Sequence, residues 1–247
     1  DKNYLIFEDM AKYNSMFMAN ISHEIRTPVN GMYGLLGMLK NTELDETQSY
    51  YIDICYSSAN TLIKIIDDML LYTKTKEGGL SLQEDSIDLD EMIEDTLSIL
   101  QDNLNESSNL RVLHYIHKNV PNYIIIDGKI LKRVLYHIIS NGIKFTELGS
   151  VELEIEYRNN MLICTVTDTG IGISEDQMKL LFKPYIQMNT GLEKKYAGTG
   201  LGLSICKLLI KLAGGEIYAT SRYGRGSTFV FTMKIKIDEE QTLKNTN

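Results

Sequence analysis

Apolar or small residues recur at steps of three and four along the first part of the chain. They fall at Phe7, Met10, Phe17, Ile21, Ile25, Pro28, Met32, Leu35 and Leu39, with Asn14 as the single polar member. This is the seam of an amphipathic helix. A second seam runs Ile52, Cys55, Ala59, Leu62, Ile66, Met69, Thr73 in unbroken three-four alternation. That heptad-like period lets helices supercoil in a bundle. Asn41 to Gln48 is polar and acidic and predicts the turn between the two helices, and Gly78-Gly79 ends the second.

The texture then changes. Residues 88–104 read as a helix, and Leu110 to Ile116 and Tyr123 to Ile126 as strands. Asp127 caps a helix that runs to Lys144. Val151 to Tyr157 and Met161 to Val166 form a hairpin around Asn159-Asn160. Ser174 caps a short helix to Phe182, and Lys183 to Thr199 reads as a long loop. Leu201 to Ala213 is helical and stops at Gly214-Gly215. Ile217 to Thr220 and Thr228 to Ile237 close the sheet. The expected fold class is therefore α+β in more than one domain: an antiparallel helical hairpin over 1–77, then a mixed sheet with helices on one face over 80–238. A polar tail over 239–247 reads as disordered.

Composition narrows the function classes. With 25 Lys and Arg against 33 Asp and Glu the net charge is −8, which argues against nucleic-acid binding. The three cysteines, Cys55, Cys164 and Cys206, form no paired motif and read as core residues of a protein in a reducing cytosol. No apolar run approaches a membrane span, so a cytoplasmic segment without membrane contact is expected. The absence of an initiator Met at Asp1 reads as a fragment of a longer protein.

Four stretches carry candidate chemistry. His23 lies two residues from both Ile21 and Ile25. Two helical steps are about 200°, so its ring points away from the seam toward solvent. Glu24 beside it raises imidazole basicity, and Pro28 withholds an N–H from the Glu24 carbonyl and weakens the helix there. Asn141 and Lys144 share a helix face; an amide oxygen suits a hard cation such as Mg²⁺, and an ammonium suits phosphate. Asp168-Thr-Gly-Ile-Gly172 follows a strand, where glycines let backbone approach a ligand and the aspartate can accept from an exocyclic amine. Gly198-Thr199-Gly200-Leu201-Gly202 opens a helix, whose amides form an anion site. Read singly, each also fits a solvated surface or an ordinary turn. His114 and His117 are three apart in a strand and point to opposite faces, so they form no metal pair.

Taken in order, these stretches resemble the catalytic core of the sensor histidine kinases. The H box is Ser22-His-Glu-Ile-Arg-Thr-Pro28 and the N box is His137-Ile-Ile-Ser-Asn-Gly-Ile-Lys-Phe-Thr146. The first glycine box is Asp168 to Gly172, the F box Phe182-Lys-Pro-Tyr185 and the second glycine box Gly198 to Gly202. The resemblance spans residues 5–237 and is strongest to the hybrid kinases, which also carry a receiver domain.

The resemblance implies a hairpin that dimerises as a four-helix bundle. It implies a GHKL-type α/β sandwich, shared with heat-shock chaperone, gyrase and mismatch-repair ATPases. It implies ATP and Mg²⁺ as cofactors. His23 would take the γ-phosphoryl group and pass it to an aspartate of a response-regulator receiver, with phosphatase activity toward that partner also in the family's range. Glu24 would be the base, and Thr27 matches the position used in dephosphorylation. Asn141 would ligate Mg²⁺, Lys144 would contact phosphate, and Asp168 would hold the adenine amine in a pocket shaped by Gly170 and Gly172. Lys194 stands where relatives carry an arginine at the γ-phosphate. Gly198, Gly200 and Gly202 would hinge the lid, and Thr199 and Leu201 between them would join the nucleotide-binding set. Four positions depart from the pattern: His137 for the first N-box asparagine, Gly142 for alanine, Ala197 for glycine and Tyr185 for the second phenylalanine. His137 keeps a second class open, a nucleotide-gated dimeric scaffold with weak or no transfer. A chaperone- or gyrase-type ATPase is the third; the phosphotransfer hairpin argues against it.

Overall fold

The structure is a computed structural model and describes residues 22–101, 109–186 and 200–244. The chain divides into two compact units, Asp1–Leu80 and Ser81–Asn247. In the first, helix α1 occupies residues 22–40 and α2 spans Glu46–Lys76. The turn between them ends in a reciprocal capping box. Asp45 accepts from the Gln48 amide at 2.8 Å, and the Gln48 side chain accepts from the Asp45 amide at 3.2 Å. At the far end Gly78 adopts φ +73°, and the Gly79 amide donates back to the Lys74 carbonyl at 2.9 Å.

Three side-chain contacts fix the antiparallel register of the hairpin. Arg26 pairs with Asp67 at 2.6 Å, the Tyr33 and Tyr56 rings stack at 4.3 Å with their hydroxyls bonded, and Lys40 pairs with Asp53 at 2.8 Å. On α1 the face turned inward carries Ser22 and Val29, with Tyr33 and Leu36 half-buried. This corrects the expected seam. Ile25, Met32, Leu35 and Leu39 lie on the neighbouring stripe and stay exposed, Leu35 at 63%. On α2 Ile52, Ala59, Ile66 and Thr73 are covered as expected, but Tyr56 and Ile63 take the places expected of Cys55 and Leu62, which are exposed. Periodicity fixes the spacing of a stripe. It does not decide which of two adjacent stripes packs inside the hairpin when both are apolar. Helix α1 runs unbroken through Pro28.

The second unit is built on a five-stranded sheet in the order β2-β4-β5-β7-β6. The strands are β2 Leu110–Ile116, β4 Gly149–Arg158, β5 Met161–Asp168, β6 Ile217–Ser221 and β7 Ser227–Lys234. Only the β2–β4 pair is parallel. Asn159 and Asn160, with φ of 53° and 59°, make the β4–β5 turn. Strand β5 alternates strictly, burying Leu162, Cys164, Val166 and Asp168. Phe231 of β7 stands opposite Cys164 and is fully buried. Helices α3 (Leu89–Gln101), α4 (Gly128–Phe145) and α6 (Gly202–Leu212) supply the apolar layer, through residues such as Ile93, Leu135, Ile139 and Leu209. Asp127 caps α4 by accepting from Ile130 at 3.1 Å, and its other oxygen accepts from the Gln83 amide at 2.9 Å.

A second sheet, β1-β3-β8, joins Asp85–Asp88, Tyr123–Ile126 and Lys236–Ile237. Of its outer strands β1 was not legible, whereas β8 lies inside a run expected as strand. Strand β1 is polar, and its place rests on main-chain pairing with β3. The run from Thr228 to Ile237, expected as one strand, breaks at Ile235 without a glycine or proline to signal it. The expected helix from Ser174 is a single turn, α5 (Glu175–Met178). Helix α7 (Glu239–Lys244) replaces the first part of the expected disordered tail, because Asp238 caps it by accepting from the Gln241 amide at 3.1 Å. Of the cysteines only Cys164 and Cys206 are buried.

Phe231→Ala should cost about 3–5 kcal/mol of stability. A urea titration of the second unit's unfolding transition checks this, with Tyr223→Ala, 73% exposed, as the near-neutral control.

Candidate phosphoryl-acceptor and nucleotide site

On α1, His23, Glu24 and Thr27 are exposed. The Thr27 hydroxyl donates to the His23 carbonyl at 3.1 Å, one turn back. Just beyond it Pro28 has no N–H to offer the Glu24 carbonyl. The helix therefore presents His23 and Glu24 side by side on solvent, clear of the Arg26–Asp67 pair that ties the hairpin together. This matches the orientation read from the seam.

In the second unit the centre is Asp168, the last residue of β5. It is 7% exposed, and its Oδ1 accepts from the Gly170 amide at 2.9 Å and the Ser227 amide at 3.2 Å. Burial pushes its carboxyl above the ordinary range, and the bonds from Gly170 and Ser227 partly offset this. Two glycines allow the surrounding backbone to close on it. A Cβ on Gly170 would lie 2.2 Å from the Phe145 carbonyl oxygen, so only glycine lets this loop reach the end of α4. A Cβ on Gly142 would come within 3.0 Å of Val151 and 3.5 Å of Asp168. Val151 packs against this turn of α4, so a side chain at position 142 would require it to give by a few tenths of an ångström.

Asn141 and Lys144 are half-buried on the same helix, and Lys144 Nζ lies 5.1 Å from the centre of the Phe145 ring. His137, one turn earlier, packs on the start of α6: a Cβ on Gly202 would meet its Nδ1 at 3.2 Å. Helix α6 begins at Leu201 with no side-chain cap, which leaves its first amides to other acceptors. Gly200, at φ +68°, backs onto Ile186, and its carbonyl accepts from the Tyr185 amide at 3.0 Å. Gly172, at φ +67°, turns the loop against Arg222. Lys194, Gly198 and Thr199 lie outside the described residues. Three polar positions were not singled out by sequence reasoning. Ser227 holds Asp168, Thr169 Oγ1 accepts from the Ser150 amide at 3.0 Å, and Thr146 closes α4 with a buried Oγ1 that has no hydrogen-bond partner. Only the N-box pattern pointed toward Thr146.

Residues 13–78 match the His Kinase A (phospho-acceptor) domain family. Residues 126–237 match the family described as histidine kinase-, DNA gyrase B- and HSP90-like ATPase. The chain carries the two domains of a histidine kinase core. Among curated relatives, the chain is 36% identical over 230 residues to the peroxide stress-activated histidine kinase mak2 of Schizosaccharomyces pombe, covering 89% of the chain and 10% of mak2. It is 37% identical over 237 residues to two-component system protein A of Emericella nidulans, covering 93% of the chain and 34% of that protein. The chain thus spans between a tenth and a third of these relatives. Full-length ShkA in complex with AMPPNP superposes with a TM-score of 0.77 at 25% identity, over 90% of the chain and 46% of ShkA. ThkA in complex with the response regulator TrrA shares the fold, with a TM-score of 0.59 at 24% identity, over 89% of the chain and 61% of that chain. A helical hairpin followed by an α/β ATPase unit is therefore the fold of this chain, as its boxes implied.

A carboxyl whose pKa is raised by folding contributes stability below its unfolded pKa and loses it as pH rises through the raised value. Asp168→Asn keeps an Oδ1 acceptor for both amides and removes the buried charge. The variant should melt no lower than the parent at pH 7, and the gap should narrow as pH falls toward 4. Thermal unfolding followed by circular dichroism at both pH values checks this.

Proposed function

We propose that this chain is the ATP-dependent kinase core of a phosphorelay, with His23 as the group that becomes phosphorylated. The observation that carries the reading is the pairing of an exposed His23-Glu24 on a hairpin of the phospho-acceptor family with a glycine-walled, buried carboxylate in an ATPase unit. The ring nitrogen of His23 without a proton attacks the γ-phosphorus. A nitrogen–phosphorus bond forms as the bond to the bridging β,γ-oxygen breaks, and ADP leaves. Glu24 takes the proton from the other ring nitrogen. Asp168 accepts the adenine amine. Lys144 and the uncapped start of α6 take phosphate charge.

Mg²⁺ fits the donor set. The Asn141 amide supplies one protein oxygen, and this cation ordinarily keeps waters and phosphate oxygens for its other positions. When bound it would neutralise charge on the transferring phosphate. In this reading Lys194 meets the γ-phosphate, Gly198, Gly200 and Gly202 hinge the lid, and Thr199 and Leu201 contribute to nucleotide binding. A response-regulator receiver aspartate takes the phosphoryl group from His23, and Thr27 serves the reverse, hydrolytic step. The exposed stripe Ile25, Met32, Leu35, Leu39 supports a homodimer through the hairpin, because its spacing is that of a bundle seam and it is exposed among the described residues. A cytoplasmic location goes with the use of ATP.

His137 favours a second reading. It stands in the N box with its ring against Gly202, so an imidazole occupies the junction of the Mg²⁺ helix and the phosphate helix. In this reading ATP binds and gates the dimer without transfer.

Incubation with Mg²⁺ and γ-labelled ATP separates the two. The kinase reading predicts label that survives alkali, is lost in acid and is absent from His23→Gln. Nucleotide binding with no phosphohistidine would overturn it in favour of the scaffold, and His137→Asn should then restore labelling.

A further inference from the structure

The open face of the five-stranded sheet, away from the nucleotide loops, carries a cluster that the kinase reading does not use. His117 follows β2 directly, and Glu154 and Glu156 project from the neighbouring strand β4. His117 Nε2 lies 2.7 Å from Glu154 Oε1 and 3.4 Å from Glu156 Oε1, and one ligand atom from each of the three residues lies within 4.8 Å of the others. We propose that His117, Glu154 and Glu156 form a binding site for a transition-metal dication of the zinc class.

The spacing fits. Tetrahedral zinc with bonds of about 2.0–2.1 Å holds neighbouring donors about 3.4 Å apart. The two separations from His117 are 2.7 and 3.4 Å and the three ligand atoms all lie within 4.8 Å of one another, so the ion needs only small side-chain rotations. The donors are also set in place before any ion arrives. The parallel register pairs Tyr115 with Glu154, and the His117 amide extends the ladder by donating to the Ile155 carbonyl at 3.0 Å. The His117 carbonyl is held by the Val120 amide at 3.0 Å, and Asn119 ties the following turn to the Tyr157 carbonyl at 2.6 Å. The Tyr115 ring meets the imidazole edge-on at 4.8 Å between centroids and sets its plane.

The donor types select the metal. Two carboxylates alone would suit Ca²⁺ or Mg²⁺, whereas an imidazole nitrogen shifts preference to Zn²⁺, Ni²⁺ or Co²⁺. Charge points the same way. Two carboxylates face one imidazole, so even a protonated ring leaves the cluster one charge short of neutral. A dication balances both. Three protein ligands leave a fourth position for water. The ion would clamp edge strand β2 to β4. His114 takes no part, because it turns to the opposite face and pairs with Glu94 at 3.3 Å.

Isothermal titration of the chain with zinc chloride, in a buffer that does not bind metals, tests the proposal. The Cys55→Ser background removes the one exposed thiol. One ion per chain should bind and raise the melting temperature of the second unit, because a ligand for the folded state stabilises it. His117→Asn should weaken binding on the order of 100-fold, as loss of a ligand does at least as much as loss of an outer-shell partner. Glu154→Gln should also weaken it, and His114→Asn should not. Millimolar Mg²⁺ should not compete. Equal zinc affinity in the parent and His117→Asn, with both folded by circular dichroism, would overturn the proposal and leave a surface ion-pair cluster. So would the absence of binding by the parent.

Discussion

Everything in the ATPase unit turns on how close its backbone comes to one buried carboxylate. Asp168 sits at the end of the central strand, fixed by two main-chain amides on a single oxygen. An unpaired carboxylate in that place would be costly. The cost is limited by bonds that also define the turn from β5 into the first glycine loop and the turn into β7. The same packing brings the end of α4 against the loop at Gly170 and the body of α4 against Val151 at Gly142. One constraint thus positions the carboxylate, the helix that carries Asn141 and Lys144, and, through His137 and Gly202, the start of α6.

The hairpin follows a different logic. Its inner face is modest, with few residues fully buried, and its register rests on two ion pairs and a stacked tyrosine pair. Exposed ion pairs contribute about 0–1 kcal/mol each, so they specify register more than they stabilise. Burial of the Tyr33–Tyr56 contact and of Val29 and Ile66 does the rest. The arrangement leaves His23 exposed outside the hairpin interface, as the proposed transfer requires.

Much of this was legible in the sequence. Period-two alternation located β4, β5 and β7, and the capping residues Asp127 and Ser174 located helix starts to within a residue. His23 is exposed as expected, although the stripe from which its direction was read is not the one that packs inside the hairpin. Where the reading failed, the missing information was tertiary. Two apolar stripes on each hairpin helix compete for one interface, and only packing chooses between them, which is why Cys55 and Leu62 were expected inside. Strands β1 and β8 owe their state to main-chain pairing with β3, and helix α7 to a cap at Asp238 that polar composition masks. Ser227 and Thr146 could not be read as site residues, because their roles depend on which strands and helices become neighbours of Asp168.

The central claim is that Asp168 reads the base of the nucleotide by accepting from its exocyclic amine. The direct measurement is the affinity of the chain for ADP against IDP, which carries a 6-oxo group in place of that amine, by calorimetry in the presence of Mg²⁺. A carboxylate left facing a carbonyl oxygen loses a charge-assisted hydrogen bond, commonly about 1.5–3 kcal/mol. The account predicts ADP binding on the order of tenfold to a hundredfold tighter than IDP, a difference that Asp168→Asn abolishes. Equal affinity of the parent for the two nucleotides would contradict it.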